Sequence, residues 1–279
     1  VTDVLSWAAE QLGCPVRRLR PLTGGTHART ELLATGDGRE VVLRVFPAGD
    51  PAVQRETRVL PLLDGLAGLA PRLLAADPDG AATGRPTLLV SRLPGDGCLA
   101  PADPRSWARQ LGRTLARIHA VPVGIELRDP LAAGPTGAGP TGPTVREHWH
   151  RLVAQPRVLT HLDYWSGNTL WVGDRLTGVV DWSGAAYAPR GFDVAWCRLD
   201  LILLYDSRIA DVFTDAYRSA AGSLDDVELW DRSAAMHAYG QIETWAPNYA
   251  GLGRPDLDGP ALRDRLTRWT DTLTDRTPR

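Results

Sequence analysis

The residues best placed to do chemistry lie in Val158-Leu159-Thr160-His161-Leu162-Asp163-Tyr164-Trp165-Ser166-Gly167-Asn168. An apolar run leads into a polar loop, and a second apolar run follows. Gly178-Val179-Val180-Asp181-Trp182 is another apolar strand that ends in an acid. Moving a phosphoryl group to a hydroxyl needs few protein groups. One carboxylate accepts the hydroxyl proton and orients the nucleophile, while an amide oxygen and a second carboxylate hold magnesium on the phosphates. His161-x-Asp163-x-x-x-x-Asn168, followed by the strand-end Asp181, supplies that set on loops carried by a rigid sheet. Asp163 is the candidate base, and Asn168 and Asp181 are the candidate metal ligands. Oxygen donors suit Mg2+, with phosphate and water completing its shell.

The composition narrows the routes to such chemistry. All 31 basic residues of the 279 are arginine. Without lysine there is no P-loop, whose lysine binds the β/γ-phosphates. There is also no Schiff base to a carbonyl substrate or pyridoxal phosphate. Arginine stays protonated, so His is the one basic side chain able to act as a base. A net charge of −2 argues against nucleic acid as a partner. No run of about 18 apolar residues predicts a membrane span. The first residues lack the pattern of a secretory leader. Cys14, Cys98 and Cys197 are scattered and odd in number. Together these predict a protein of the reducing cytoplasm, with no membrane partner.

The elements that must position the loop fall into two groups. Residues 2–13 predict a short helix. Strands are expected at 16–21, 28–34, 40–46, 72–76 and 87–92, with a turn cluster at 35–39. Asp50-Pro51 starts a helix that Pro61 ends or kinks. This half reads as a five-stranded antiparallel sheet with one inserted helix. After the turn-rich 93–97, Asp103-Pro104 starts a helix along Trp107, Leu111, Leu115 and Ile118 that Pro122 stops. The Gly-Pro-Thr-rich residues 134–144 read as a mobile loop. Short strands are expected near 157–161, 169–173 and 177–181, and helices at 192–204, 208–221, 225–239 and 260–274. The fold class is α+β, with a small antiparallel sheet lobe carrying one helix and a larger, mainly helical lobe. The boundaries are 1–92, a hinge at 93–97, and 98–279.

The loop resembles that of the aminoglycoside phosphotransferase and choline kinase family, within the protein-kinase-like fold. In that family it usually reads His-Gly-Asp-x-x-x-x-Asn; here Leu162 replaces the glycine. Asp181-Trp182 and Gly191-Phe192-Asp193-Val194-Ala195 resemble the family's metal-binding strand and the helix after it. Only eleven residues separate Asp181 from Asp193, too few for a protein-kinase activation segment. The resemblance, which runs over about residues 15–204, implies a two-lobed kinase of small molecules that uses Mg-ATP, with GTP as the alternative. It places Arg44, inside the apolar strand Val41-Val42-Leu43-Arg44-Val45-Phe46, where the fold normally has a phosphate-bridging lysine. Glu56 is then its partner. It also implies that the backbone at Gly24, Gly25 and Thr26 approaches the phosphates, and that the backbone near Ser91 and Leu93 holds adenine. The implied acceptor is an aminoglycoside or another hydroxyl-bearing antibiotic. A metabolite such as choline, homoserine or a sugar amine is the alternative. A catalytically inactive nucleotide-binding module is the rival from another class.

Several residues have plainer readings. His161 suits a structural role in the loop, and Asp193 could cap the next helix and brace the loop. Cys197, next to Trp196 on an apolar helix, reads as core. Trp245 and Tyr249 flank Pro247, in a stretch not expected to be regular helix, and either could line a pocket. Residues 200–231 hold eight acids against two arginines, a local balance of −6. Facing a cleft, that surface would attract a cationic acceptor. The alternative is a solvated helix face.

Overall fold

The computed structural model describes residues 2–22, 28–64 and 66–275. The chain divides into two compact units, residues 1–95 with 177–185, and residues 96–176 with 186–279.

In the first unit, α1 (Val4–Leu12) is capped by Asp3, whose carboxylate accepts from the Leu5 and Ser6 amides. It leads into β1 (Val16–Leu22), β2 (Arg29–Thr35) and β3 (Glu40–Val45). Helix α2 (Ala52–Val59) follows, then a tight 3-10 turn carrying Pro61, then β4 (Leu73–Asp77) and β5 (Thr87–Ser91). The five strands form one antiparallel sheet in the order β1-β2-β3-β5-β4. Side chains alternate across a strand. Val41 and Leu43 therefore join Leu33, Leu89, Trp7 and Ala8 in a core beneath α1. The same alternation turns Val42 and Arg44 to the other face. Segment 177–185 falls with this unit, although the sequence places it in the second lobe. Local bonds account for this: the Val179 amide donates to Leu69 O at 2.7 Å, the Thr177 hydroxyl donates to Pro94 O at 2.6 Å, and Arg55 Nε of α2 donates to Ser183 O at 2.7 Å.

In the second unit, the short β6 (Asp96–Gly97) precedes α3 (Pro104–His119), which Asp103 caps. Helix α4 (Gly142–Val153) leads to β7 (Arg157–Thr160), and the loop 161–168 connects it to β8 (Thr169–Val172). β6 pairs with β8. Strand β9 (Arg175–Val179) carries the chain into the first unit, and β10 (Ala186–Pro189) returns to pair with β7. Helices α5 (Gly191–Leu204), α6 (Ser207–Ala221), α7 (Val227–Ala238), α8 (Ala246–Gly251) and α9 (Gly259–Thr274) complete it. Helix α5 is buried along most of its length. Helices α3 and α6 pack so closely at Gly112 that a Cβ there would sit 2.4 Å from Phe213 O.

Three elements differ from expectation. Residues 142–144 open α4 with Pro143 in its first turn, where a missing N–H costs nothing. The preceding stretch is held down, with the Ala138 amide donating to Met236 O at 3.1 Å. Likewise Pro247 lies in the first turn of α8, so Tyr249 is helical after all. The strand expected at 177–181 ends at Val179, and Asp181 takes φ +63°, a left-handed conformation that aspartate tolerates better than most residues. Among the described residues, no helix is long and apolar enough to cross a membrane.

Candidate active site

The first unit joins three of the residues singled out by sequence. Arg44 Nη1 donates to Glu56 Oε1 at 2.5 Å, and Nη2 donates to Asp181 Oδ1 at 3.0 Å. Their side chains are 13%, 3% and 27% exposed, so the cluster is largely out of water. A buried charge is tolerable only when paired, and here one cation serves two carboxylates. Burial, the largest influence, works against the Arg44 charge, but Glu56 and Asp181 outweigh it and leave the guanidinium more firmly protonated than usual. Burial pushes the Glu56 carboxyl up to about 7, against the pull of Arg44. The Arg44 guanidinium also lies 4.9 Å from the centre of the Phe46 ring. Ser183 Oγ donates to Asp181 Oδ1 at 3.0 Å.

The second unit holds the loop. The amides of His161 and Leu162 donate to the two oxygens of Asp193 at 2.7 and 2.8 Å. His119 Nε2 lies 3.1 Å from the same carboxylate, and its Nδ1 lies 2.7 Å from the Tyr217 hydroxyl. Asp193 therefore braces the loop; its own helix begins without a side-chain cap. Leu162 has φ +64°. That is the position where the family usually has glycine, and the backbone shows why glycine suits it. His161 is buried, and its Nδ1 accepts the Asp163 amide at 3.3 Å. The Asp163 carboxylate is held through both oxygens: Trp196 Nε1 donates to Oδ1 at 3.0 Å and Asn168 Nδ2 donates to Oδ2 at 2.9 Å. Asn168 Nδ2 also reaches Asp163 O, leaving Oδ1 as the amide atom suited to a cation. Each unit thus offers one hard oxygen donor, the Asn168 amide oxygen in the second and the Asp181 carboxylate in the first, a donor chemistry that suits Mg2+.

A cavity of about 190 Å³ opens beside Asp163. Trp165, Trp196, Trp245 and Tyr249 line it, and so does Asp200. Asp200 is buried, and accepts from the Ser166 amide and hydroxyl and from the Tyr249 hydroxyl. Burial pushes its carboxyl up to about 6, while these donors restrain the rise. Of the eight acids between 200 and 231, only Asp200 lines this cavity. The others are largely matched by arginines: Asp231 and Asp211 by Arg198, Asp226 by Arg151, Asp206 by Arg208, Glu228 by Arg232 and Asp215 by Arg218. The acidic stretch is thus mostly matched by arginine, partly in solvent-exposed pairs, and its bearing on an acceptor narrows to Asp200.

The residues expected to meet the nucleotide are placed unevenly. Gly24, Gly25 and Thr26 lie outside the described residues. Ser91 ends β5; its amide donates to Arg72 O and its hydroxyl accepts the Arg72 amide, both at 2.9 Å. Leu93 is buried against Gly178. Sequence reasoning assigned no site role to Trp196 or Ser166, and singled out Asp200 only as one of the eight acids of 200–231. A signal existed for two of them. Asp193, Trp196 and Asp200 fall at i, i+3 and i+7, a single stripe of α5.

A small antiparallel sheet lobe with a buried cation–carboxylate pair, and a helical lobe presenting a His-x-Asp-x-x-x-x-Asn loop, define the protein-kinase-like fold. The model of the phosphotransferase enzyme family, APH, matches residues 18–235, and the chain belongs to that family. Among curated relatives, the homoserine kinase of Sinorhizobium medicae (strain WSM419) is 28% identical over 140 residues, 42% of each chain. That of Agrobacterium fabrum (strain C58 / ATCC 33970) is 27% identical over 204 residues, 62% of each. The chain thus spans less than two thirds of these relatives. The macrolide 2'-phosphotransferase MphH from Brachybacterium faecium superposes with a TM-score of 0.58 at 24% identity, covering 95% of this chain and 98% of that one. Aminoglycoside phosphotransferase APH(4)-Ia, in a ternary complex with ADP and hygromycin B, gives 0.64 at 16% identity and 98% coverage of both. These likenesses establish the fold.

Proposed function

We propose that the protein transfers the γ-phosphoryl group of ATP, with GTP as the alternative nucleotide, to a hydroxyl of a small cationic acceptor. The observation that carries this reading is Asp163, fixed through both carboxylate oxygens at the edge of an aromatic cavity. A carboxylate so held can orient an acceptor hydroxyl and take its proton. Asn168 and Asp181 are the residues that would hold Mg2+, which when bound would supply charge neutralisation for phosphoryl transfer. Arg44, set by Glu56, steadies the nucleotide phosphates through its planar fork. Family membership supports the class of reaction.

The cavity walls bear on the acceptor. Indole and phenol faces attract organic cations, and the buried Asp200 adds a carboxylate. The likeness to antibiotic phosphotransferases supports an aminoglycoside or another antibiotic. A second reading, a compact amino alcohol such as homoserine or choline, is favoured by size. About 190 Å³ is below the roughly 300–1,000 Å³ typical of sites for drug-sized ligands. The homoserine kinase relatives support the same reading.

The test is ADP release from Mg-ATP across aminoglycosides, macrolides, homoserine, choline and other amino alcohols, for wild type and Asp163→Ala. Turnover of one class, lost by at least about 10²-fold in the variant, is expected. A protein that binds nucleotide but turns over no acceptor would instead be an inactive binding module. Near-normal turnover by the variant would show that Asp163 is not the base.

A further inference from the structure

The stripe on α5 meets the loop residue by residue. Asp193 takes the amides of His161 and Leu162, Trp196 takes the Asp163 carboxylate, and Asp200 takes Ser166. The two acids grip backbone and hydroxyl groups outside the reacting centre. Trp196 alone of the three grips the carboxylate that the reaction needs.

The same indole is also a wall. It borders the cavity of about 190 Å³ beside Asp163 and a second cavity of about 50 Å³ lined by Leu131, Phe192 and Trp230. Its ring meets His237 and Trp245 edge-on, with centroids 5.4 and 5.3 Å apart. Aromatic neighbours on two sides restrict its tilt, so the N–H has a fixed direction. The last torsion of a carboxylate is soft, and the indole N–H on the oxygen opposite Asn168 restricts it.

We propose that Trp196 is a positioning residue for phosphotransfer, holding the plane of the Asp163 carboxylate through its N–H while its ring shapes the wall beside it. This rests on Asp163 as the base. An acceptor lying against the indole is thereby registered to the carboxylate by one side chain, so the same residue influences both orientation and fit.

The experiment uses the full chain with Mg-ATP and water as acceptor, and compares Trp196→Phe with Trp196→His. Imidazole overlays the five-membered ring of indole and can keep an N–H at the same place; phenyl preserves more apolar bulk but no donor. Positioning predicts that Trp196→Phe lowers kcat for ATP hydrolysis about tenfold, part of the roughly 10²–10⁴ of a positioned base. KM for ATP stays unchanged, and Trp196→His recovers much of the loss. A packing role predicts the reverse order, with phenylalanine the better replacement. That order, or wild-type kcat in Trp196→Phe, overturns the proposal. Asp163→Ala, run alongside, separates the two ideas: retained hydrolysis there removes the base and leaves Trp196 nothing to position. The bond itself is read by the indole 15N–1H signal. Protection from exchange and a shift on Asp163→Asn are expected, whether or not hydrolysis is measurable. A freely exchanging, unmoved signal overturns the proposal by itself.

Discussion

Replacing Asp200 by asparagine should change how stability depends on pH. The wild-type carboxyl is 3% exposed and accepts the Ser166 amide and the Tyr249 hydroxyl, each at 3.0 Å, together with the Ser166 hydroxyl. Burial, the largest influence, raises it from 3.8 to about 6. A folded-state value above the unfolded one means the folded chain binds this proton more tightly. Its contribution to stability is full below about pH 4 and is lost as pH rises through about 6. The rise is about two units, and at about 1.4 kcal/mol per unit that is roughly 3 kcal/mol. Asparagine does not titrate. It keeps an acceptor for the Ser166 amide but turns an N–H2 toward a group that previously donated, a constant cost of about 1–3 kcal/mol. Wild type should therefore lose about 3 kcal/mol relative to Asp200→Asn between pH 4 and pH 7. Urea unfolding of both proteins at pH 4, 5, 6 and 7 measures this. A constant difference over that range would refute the reasoning. So would a wild type that gains on the variant as pH rises, because the carboxyl would then sit below its unfolded value.

Arg44→Met leaves Glu56 and Asp181 without their shared cation, and should cost about 3 kcal/mol of stability in chemical unfolding. A loss under about 1 kcal/mol would mean the pair is exchanged for water at no penalty. Leu162→Gly relieves a left-handed residue by about 1–2 kcal/mol, offset by glycine's greater freedom in the unfolded chain. Unchanged or slightly raised stability with retained turnover is expected, whereas Leu162→Val, β-branched at φ +64°, should lose stability and kcat together.

The sheet lobe was legible because its signals are local. Alternation along 41–45, the turn cluster at 35–39 and the Asp-Pro starts of helices all act within a few residues. The pairing of Arg44 with Glu56, twelve residues apart, was implied by the family resemblance, and an isolated cation in an apolar strand needs such a partner. The misses have separate causes. Pro143 and Pro247 were read as breakers, yet both sit in first turns, where position decides their effect. The acidic run looked unmatched in part because some of its partners are remote in sequence: Arg198 meets Asp231 from 33 residues away and Arg151 meets Asp226 from 75. Trp196 was hidden for the opposite reason. It lies inside an apolar helix where a tryptophan needs no explanation, and only the loop folded against it reveals what its N–H touches.

The absence of lysine has its sharpest consequence at Arg44. An ammonium is a compact point charge. A guanidinium instead spreads its donors along a plane, and here Nη1 and Nη2 address two carboxylates at once. Glu56 anchors one end on α2, while the other end reaches the residue proposed to hold the cation. Arginine at this position therefore ties strand β3 to the turn at Asp181 within one unit. On the other unit, α5 does the corresponding work with no net cation. Two acids bind amides and a hydroxyl of the loop, and a tryptophan binds its carboxylate. Each half of the proposed site is thus preset by contacts inside its own unit. Variants on either side should accordingly disturb their own half first: Arg44→Met the stability of the sheet lobe, Trp196→Phe the turnover set by the loop.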